Sequence, residues 1–323
     1  MRLAPARSRR SSTLPGPGEQ QAPLALVGGE SGGPLELGTP TVDRLVDVVR
    51  VLGEWQHDAS PMQLHPGDLG WFWQHGAEAT AAATRTWSRD GQVLAVGFLD
   101  GPDVLRLTVA PPARHDEGLA AQVVADVTAP ERGVLPTGEA VEVPDGTAVR
   151  ALLVQGGWTL GESWAPLRRD LAGPVPEPAL RIEVVGPEHV RAHTAVHRSA
   201  WGSEKFTDDR WRTMAAGPAF ADARSLLGYD ADGVAVAGVT VWSAGPARPG
   251  LIEPMGVHAD HRRRGHAAAV CLAAAAELRR TGSSSAVVCT PSALTGAVAT
   301  YRAAGFEPLP QRFDLVRPAP PSG

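Results

Sequence analysis

Hydrophobic residues follow helical and strand spacings in turn from about residue 41 onward. One face of a first predicted helix is apolar and consists of Val42, Leu45, Val46, Val49 and Leu52. Residues 83–88 and 93–99 then flank the turn Arg89-Asp90-Gly91, which is the pattern of a β-hairpin. The other elements predicted before residue 172 are a strand at 104–109, a helix at 118–126, a strand at 140–143, a helix at 147–154 and an extended segment at 162–171.

A proline-rich segment at 172–179 precedes a second series of elements in a similar order. The series comprises a strand at 180–185, a helix at 187–200, a loop and helix with Trp201, Phe206, Trp211 and Met214, hairpin strands at 226–229 and 234–242, a strand, turn and helix within 251–280, a strand at 285–289, a helix at 295–304 and a strand at 311–317.

Matching spacings connect the two series. Gly118 and Gly157 are 39 residues apart, and Gly265 and Gly305 are 40 apart. The other two intervals are equal: five residues for Val109/Arg114 and Val257/Arg262, and nine for Trp158/Leu167 and Phe306/Leu315. We therefore predict an α+β protein with two related domains, each a mixed, mostly antiparallel sheet flanked by helices.

This interpretation sets the domain boundaries. We predict a disordered tail at 1–40, a first domain at 41–171, a linker at 172–179, a second domain at 180–317 and a tail at 318–323. The basic start of the chain leaves a twin-arginine export signal as an alternative, although the apolar stretch at 23–27 is shorter than such a signal requires.

Composition narrows the classes of function. The net charge of -5 gives no indication of nucleic-acid binding, and no apolar run approaches the ~20 residues of a membrane span. Cys271 and Cys289 lie in apolar runs and are expected to be small buried thiols. His189, His193 and His197 recur at a helical spacing that can bind metal, but no carboxylate or cysteine accompanies them. We expect partly exposed histidines, no metal, and a cytoplasmic monomer or homodimer.

The segment 251–270 carries the clearest chemistry. An apolar strand enters a turn with three arginines and Gly265, and an alanine-rich helix follows at once. Free backbone N–H groups at the start of a helix, with its positive dipole end, favour phosphate, and arginines add charged donors. The sequence therefore predicts a loop that binds a pyrophosphate-containing cofactor.

Two motifs in the second half resemble those of the GNAT superfamily of acyl-CoA-dependent N-acyltransferases. Residues 262–267, Arg-Arg-Arg-Gly-His-Ala, are similar to the Arg/Gln-x-x-Gly-x-Gly/Ala loop of that family. Residues 301–306, Tyr-Arg-Ala-Ala-Gly-Phe, are similar to its Tyr-x-x-x-Gly-Phe signature. The resemblance covers residues 180–317 well and 41–171 poorly, so it implies two GNAT-like domains of which the second is catalytic.

The resemblance implies a site for acetyl-CoA or another acyl-CoA as co-substrate. The residues that would hold its pyrophosphate are Arg262, Arg263, Arg264, Gly265, His266, Ala267 and Ala268. The backbone of Met255 and Val257 would pair with the pantetheine amides. The family often carries Asn seven residues before the tyrosine, where this chain has Leu294.

The resemblance also implies catalytic residues. Tyr301 would protonate the departing thiolate, and the alternative is that Tyr301 only packs in the core. Glu253 lies four residues before Val257 on the same side of the strand and would deprotonate the acceptor amine. A surface or ion-paired carboxylate is the alternative for Glu253, and Pro254 next to it indicates a bulge. Trp201 and Phe206 lie in the loop that typically covers the acceptor and are candidates to contact it, and the alternative is that they pack in the core.

The first half departs from the family motifs. His115-Asp-Glu-Gly118-Leu-Ala120 stands where the arginine-rich loop is expected, and Leu153 stands in place of Tyr301. Acidic side chains repel phosphate, so we expect the first half to keep the fold without catalysis.

We expect acetyl transfer from acetyl-CoA to a small-molecule amine. Two alternatives stay open: a non-catalytic acyl-CoA sensor or structural partner, and a transferase with a longer or macromolecule-borne acyl donor.

Overall fold

Turn and cap residues determine where the elements of this chain begin and end. The computed structural model describes residues 33–136 and 140–317. Asp90 and Gly91 have φ angles of 52° and 76°, the left-handed conformation that a tight hairpin turn requires. Thr147 accepts a hydrogen bond from the backbone N–H of Arg150 and so caps the helix that follows.

The predicted helices and strands occur in the predicted order, and the structure adds, within the described residues, four elements that were not predicted: β1, α2, α3 and β12. The helices are α1 Leu45–Glu54, α2 Pro66–Phe72, α3 Ala77–Ala83, α4 Glu117–Thr128, α5 Ala148–Gln155, α6 Val190–Trp201, α7 Asp208–Ala215, α8 His266–Arg280 and α9 Thr295–Ala303. The strands are β1 Glu36–Gly38, β2 Thr84–Arg89, β3 Gln92–Leu99, β4 Val104–Val109, β5 Ala140–Glu142, β6 Thr159–Asp170, β7 Arg181–Val184, β8 Ala223–Tyr229, β9 Ala235–Trp242, β10 Gly250–Val257, β11 Ser285–Pro291, β12 Glu307–Pro308 and β13 Arg312–Val316.

All of these strands belong to one mixed sheet. Its order is β1-β2-β3-β4-β5-β13-β6-β11-β10-β9-β8-β7, with β12 paired to β6. Most neighbours are antiparallel, whereas β4 with β5 and β10 with β11 are parallel. The architecture is α+β, a mixed, mostly antiparallel sheet with helices, as predicted.

The two halves exchange their last strands. The first half ends in β6, which pairs with β11 of the second half over residues 164–170. The second half ends in β13, which pairs with β5 of the first half on one edge and with β6 on the other. The strands of the two halves therefore form one continuous sheet, although the proline-rich segment at 172–179 separates the halves in sequence.

The hydrophobic core of each half contains a side chain from the strand contributed by the other half. Leu315 of β13 lies in the core of the first half, with residues of α4 and β3. Leu167 of β6 lies in the core of the second half, with residues of α8 and β9. Both leucines are fully buried, so each half is completed by a side chain from the other.

Two parts of the predicted domain division need correction. Residues 36–38 were assigned to a disordered tail but form β1, because Glu36, Leu37 and Gly38 pair with β2. The segments 41–171 and 180–317 are not separate sheets, since pairing between distant strands joins them. The tails at 1–32 and 318–323 lie outside the described residues. No helix in the described part of the chain is long and apolar enough to span a membrane.

Candidate active site

The parallel strands β10 and β11 separate soon after they begin to pair. They are in register only at Gly250 and Leu251, and β10 then continues alongside β9 alone. The register of β9 and β10 shifts between Ile252 and Met255, so the predicted irregularity at Pro254 is confirmed. Beyond this point, one edge of β10 faces a groove instead of a strand.

The start of α8 forms the second wall of this groove. Gly265 has a φ angle of 83°, which suits glycine, and no side chain caps the helix. The N–H groups of the first helical turn have no partner within a helix, so those of His266, Ala267 and Ala268 are free to bind an anion. Arg263, at a φ angle of 59°, holds the tight turn just before them.

The groove has a volume of about 930 Å³ and is open to solvent. Its lining includes eight of the nine residues predicted to hold the coenzyme: Met255, Val257, Arg262, Arg263, Gly265, His266, Ala267 and Ala268. Arg264 is not among the lining residues, and its guanidinium donates to the carbonyl of Asp260 at 3.3 Å. Leu294, at the position where the family often has Asn, lies on the opposite wall with residues of α9.

The first half has the same strand and helix but fills the anion position with its own carboxylate. Asp116 caps α4 by accepting from the backbone N–H of Leu119 at 2.8 Å. The same carboxylate accepts from the Arg89 guanidinium at 2.7 Å. Both interactions lower the pKa of Asp116, so the position carries a fixed negative charge where a phosphate would have to bind.

The first half also lacks counterparts of the two catalytic candidates. The repeat that aligns Val109 with Val257 aligns Leu105 with Glu253 and Leu153 with Tyr301. Both leucines are fully buried in the core of the first half. Both catalytic candidates are thus in the second half.

Glu253 lies on β10 where the strand turns away from β11. Its side chain is half-buried, and its backbone carbonyl accepts from the indole N–H of Trp242 at 2.6 Å. Burial raises the pKa of Glu253 well above its usual range, and the negative charge of Asp68 adds to this effect. A carboxyl group with a raised pKa is better suited to accept a proton near neutral pH than an ordinary one.

Tyr301 on α9 packs in the core of the second half and is not among the residues that line the groove. Its side chain is 7% exposed and its ring packs edge-on against Phe306, with centroids 5.9 Å apart. Burial raises the pKa of Tyr301, with smaller contributions from Cys271 and Glu253, so the phenol keeps its proton at neutral pH. Its neighbours Ala297 and Thr300 line the groove. The role of Tyr301 as an acid remains a prediction.

The two candidate acceptor residues have different environments. Trp201 is 59% exposed and lines the groove at the end of α6. Phe206 is 3% exposed and packs against Trp71 and His197, with ring centroids 4.9 and 4.5 Å away. Phe206 is therefore placed as a packing residue, whereas Trp201 is accessible to a ligand.

The predicted partial exposure of the three histidines is wrong for His193. His189 and His197 are half-buried, but His193 is 3% exposed. Neither ring nitrogen of His193 or His197 has a hydrogen-bond partner among the described residues. Burial lowers the pKa of His193 to about 3 and that of His197 to about 4, so both rings are neutral near pH 7. No group of three or more potential metal ligands occurs in the described part of the chain.

A charged network next to Glu253 was not predicted from the sequence. Arg106 pairs with Asp68 at 2.7 Å and with Glu142 at 2.9 Å. Glu142 also accepts a hydrogen bond from Arg312 on the exchanged strand β13. These residues come from α2, β4, β5 and β13, and no local spacing in the sequence links them.

Comparison with known proteins gives one family match, in the second half. Residues 188–306 match the sequence profile described as the Acetyltransferase (GNAT) family. No curated protein matches the chain in sequence.

Solved structures share the fold at low sequence identity. A GNAT-family acetyltransferase from Colwellia psychrerythraea is 13% identical, with a TM-score of 0.56 over 88% of this chain and 98% of the other. N-myristoyltransferase of Saccharomyces cerevisiae, solved with bound myristoyl-CoA, is 11% identical, with a TM-score of 0.54 over 89% and 80% of the two chains. A tandem GNAT protein from the clavulanic acid biosynthesis pathway is 18% identical, with a TM-score of 0.52 over 90% and 100%. At these identities the likeness establishes the fold alone.

Proposed function

We propose, because the chain carries a GNAT-family acetyltransferase domain at residues 188–306, that it transfers an acetyl group from acetyl-CoA to a primary amine of a small molecule. Acyl-CoA-dependent N-acyl transfer is the general activity of this family. The observation that carries the proposal is the groove in which the free edge of β10 meets the uncapped start of α8.

The groove supplies the groups that coenzyme A requires. The first-turn N–H groups of α8 would bind the pyrophosphate, with Arg262 and Arg263 adding charge at the rim. The backbone of Met255 and Val257 on the free edge of β10 would pair with the pantetheine amides. A volume of about 930 Å³ is at the upper end for small-molecule sites and suits an extended cofactor.

The thioester end of the cofactor would then lie toward Glu253. In the proposed reaction, Glu253 removes a proton from the acceptor amine, directly or through water. The nitrogen attacks the thioester carbonyl carbon, a C–N bond forms and the C–S bond breaks. Backbone N–H donors stabilise the oxyanion, and Tyr301 gives its proton to the departing thiolate. The products are an N-acetylated amine and free coenzyme A.

In this proposal, the acceptor lies between the two halves. Trp201 at the groove and Glu253 on β10 both belong to the second half, whereas Asp68 and Arg106 beside Glu253 belong to the first. We propose that Trp201 contacts the ligand, and we no longer propose this for Phe206, because that side chain is buried.

Calorimetry with acetyl-CoA tests the cofactor, and release of free coenzyme A with a panel of amines tests the reaction. Saturable binding with amine-dependent thiol release supports the proposal. Binding without thiol release would favour the sensor alternative, and no binding would refute the cofactor assignment. Mass spectrometry of ligand that copurifies with the protein distinguishes acetyl-CoA from a longer acyl donor.

A further inference from the structure

Helix α2 of the first half lies directly on the strands of the second half that carry Glu253. A Cβ atom on Gly67 or Gly70 would come within 2.5 Å of the Trp242 side chain, so only glycine allows this contact. The Trp242 indole in turn donates to the Glu253 carbonyl. The position of Glu253 therefore depends on contact with the first half.

A histidine attaches the start of α2 to the second half. His65 accepts from the Gly67 N–H through Nδ1 at 2.9 Å, so its proton is on Nε2. Nε2 donates to the carbonyl of Pro249 at 3.1 Å, immediately before β10. His65 is fully buried, and this burial lowers its pKa to about 4, so the contact involves the neutral ring.

Asp68, in the first turn of the same helix, carries a negative charge that acts on Glu253. Its carboxylate is 2% exposed and pairs with Arg106, which also binds Glu142. Glu142 pairs in turn with Arg312. The positive charges of Arg106 and Arg312 are thus already neutralised by two other carboxylates, and Glu253 is an additional one.

Glu253 is left without a cation of its own. Within residues 33–136 and 140–317, no lysine, arginine or histidine forms an ion pair with its carboxyl group. Asp100, on the loop after β3, is a further carboxylate in this region and lies 3.8 Å from Arg106. After burial, the largest effects on the pKa of Glu253 come from three carboxylates, Asp68, Asp100 and Glu142, and from one partly neutralised cation, Arg106.

We propose that the first half sets the protonation state of Glu253 through Asp68, which makes Asp68 a positioning residue for proton removal from the acceptor. The inference rests on the proposed role of Glu253 as the base. It gives a non-catalytic half a specific function: its negative charge makes the carboxylate of Glu253 a stronger base, better able to hold a proton taken from the acceptor amine. The direction of the pKa shift agrees, since burial raises it first and Asp68 second, whereas Arg106 lowers it.

The titration of Glu253 itself provides the test, and it needs no knowledge of the acceptor. We would label the intact protein with glutamate carrying ¹³C at the side-chain carboxyl and assign the Glu253 resonance by its loss in Glu253→Gln. Asp68→Asn removes the charge but keeps a side-chain oxygen that can accept from the backbone N–H of His65, as the carboxylate of Asp68 does. We expect it to lower the pKa of Glu253 by about one unit, as expected for loss of a nearby like charge.

Two further variants separate charge from folding. Asp100→Asn, on a more exposed side chain, should move the pKa of Glu253 down by a smaller amount. Arg106→Gln should move it up, because a cation is lost. A merely structural role would not produce shifts of opposite sign. Asp103→Asn is the matched control, because Asp103 is exposed and is not among the groups that act on Glu253.

The outcomes distinguish this inference from the proposed function. If Asp68→Asn does not move the titration of Glu253 relative to Asp103→Asn, the inference is wrong even if the protein binds acetyl-CoA. If acetyl-CoA does not bind, the proposed function fails, while the titration still reports on the electrostatic contact. Where an acceptor supports turnover, the acidic limb of the pH profile of kcat/KM should shift down with Asp68→Asn.

Discussion

At the scale of single residues, Gly265 is the position that most directly tests the proposed coenzyme binding. Its φ angle of 83° is strained for a residue with a side chain, by about 1–2 kcal/mol. No atom of the protein lies within 4 Å of a Cβ built there, and Gly265 lines the groove. An added methyl group would therefore meet the cofactor and not the protein.

We expect Gly265→Ala to weaken acetyl-CoA binding about tenfold or more, equivalent to ~1.4 kcal/mol, measured by calorimetry. Gly146→Ala is the matched control, because Gly146 has a φ angle of 76° and equally open surroundings in the first half. It should carry a similar conformational penalty with no change in affinity. Equal affinities for the two variants would contradict the assignment of the groove.

Tyr301 allows a second test, because removal of one oxygen leaves its packing intact. Tyr301→Phe should preserve the contact with Phe306 and lower kcat by roughly 10²–10⁴-fold, the usual contribution of a general acid. Coenzyme affinity should stay nearly unchanged. Tyr229→Phe, at the other tyrosine in the chain, controls for the substitution itself. A parallel loss of affinity and turnover would instead indicate a packing role for Tyr301.

At the scale of secondary-structure elements, the sequence predicts helix α6 but not the burial of the histidines on it. The histidine spacing correctly places His189, His193 and His197 along one side of the helix. Their burial depends on distant residues: Phe206 contacts both His193 and His197, and Trp71 of the first half contacts His197. Helical periodicity contains no information about such partners.

The buried state of His193 predicts a loss of stability in acid. The unfolded chain binds a proton near the ordinary pKa of 6.5, whereas the folded chain binds it only near pH 3. Above pH 6.5 the ring is neutral in both the folded and the unfolded chain, so His193 causes no loss of stability. As the pH falls from 6.5 toward 3, only the unfolded chain gains the proton, and the free energy of unfolding decreases. For one such group, the free energy of unfolding should decrease by about 1.4 kcal/mol per pH unit in that window.

Urea unfolding at several pH values checks this expectation. His193→Leu should flatten the decrease in stability below pH 6.5, because the buried titrating group is gone. His115→Leu, at an exposed histidine of the first half, should leave the pH dependence unchanged. An equally steep acid dependence in the wild type and His193→Leu would show that His193 is not responsible.

The loops that follow β4 and β10 show how far local sequence can be read. The arginines and Gly265 predicted a phosphate-binding turn, and the acidic residues at 115–118 predicted a first half without one. The structure adds the physical reason for the first half: the carboxylate of Asp116 caps the start of α4, where a phosphate would otherwise bind. Caps act within three residues, so this feature is local and could have been predicted.

At the scale of the whole molecule, the duplication could be predicted but the strand exchange could not. Leu167 and Leu315 occupy equivalent places in the repeat, and each fills the same position in a core. Either leucine would satisfy either core, so the hydrophobic pattern is the same with and without exchange. The network of Arg106, Glu142 and Arg312 has the same origin, because β13 brings Arg312 to the first half.

Because of the exchange, each half should need the other in order to fold. Without residues 33–171, the second half loses β6 and exposes the edge of β11, which pairs with β6 at seven positions. The core around Leu167 also loses that side chain. We expect residues 180–317 expressed alone to give no stable monomer, measured by size-exclusion chromatography and thermal unfolding.

Coexpression of the two halves provides the complementary result. Residues 33–171 and 180–317 should copurify as a complex, because β6–β11 and β13–β5 pairing does not require the covalent link at 172–179. Cleavage of a protease site inserted at 172–179 in the folded chain serves as the control and should leave the fragments associated. A stable isolated second half that binds acetyl-CoA like the intact chain would mean that β13 can replace β6 next to β11. In that case, the first half would be needed for the charge around Glu253 but not for folding.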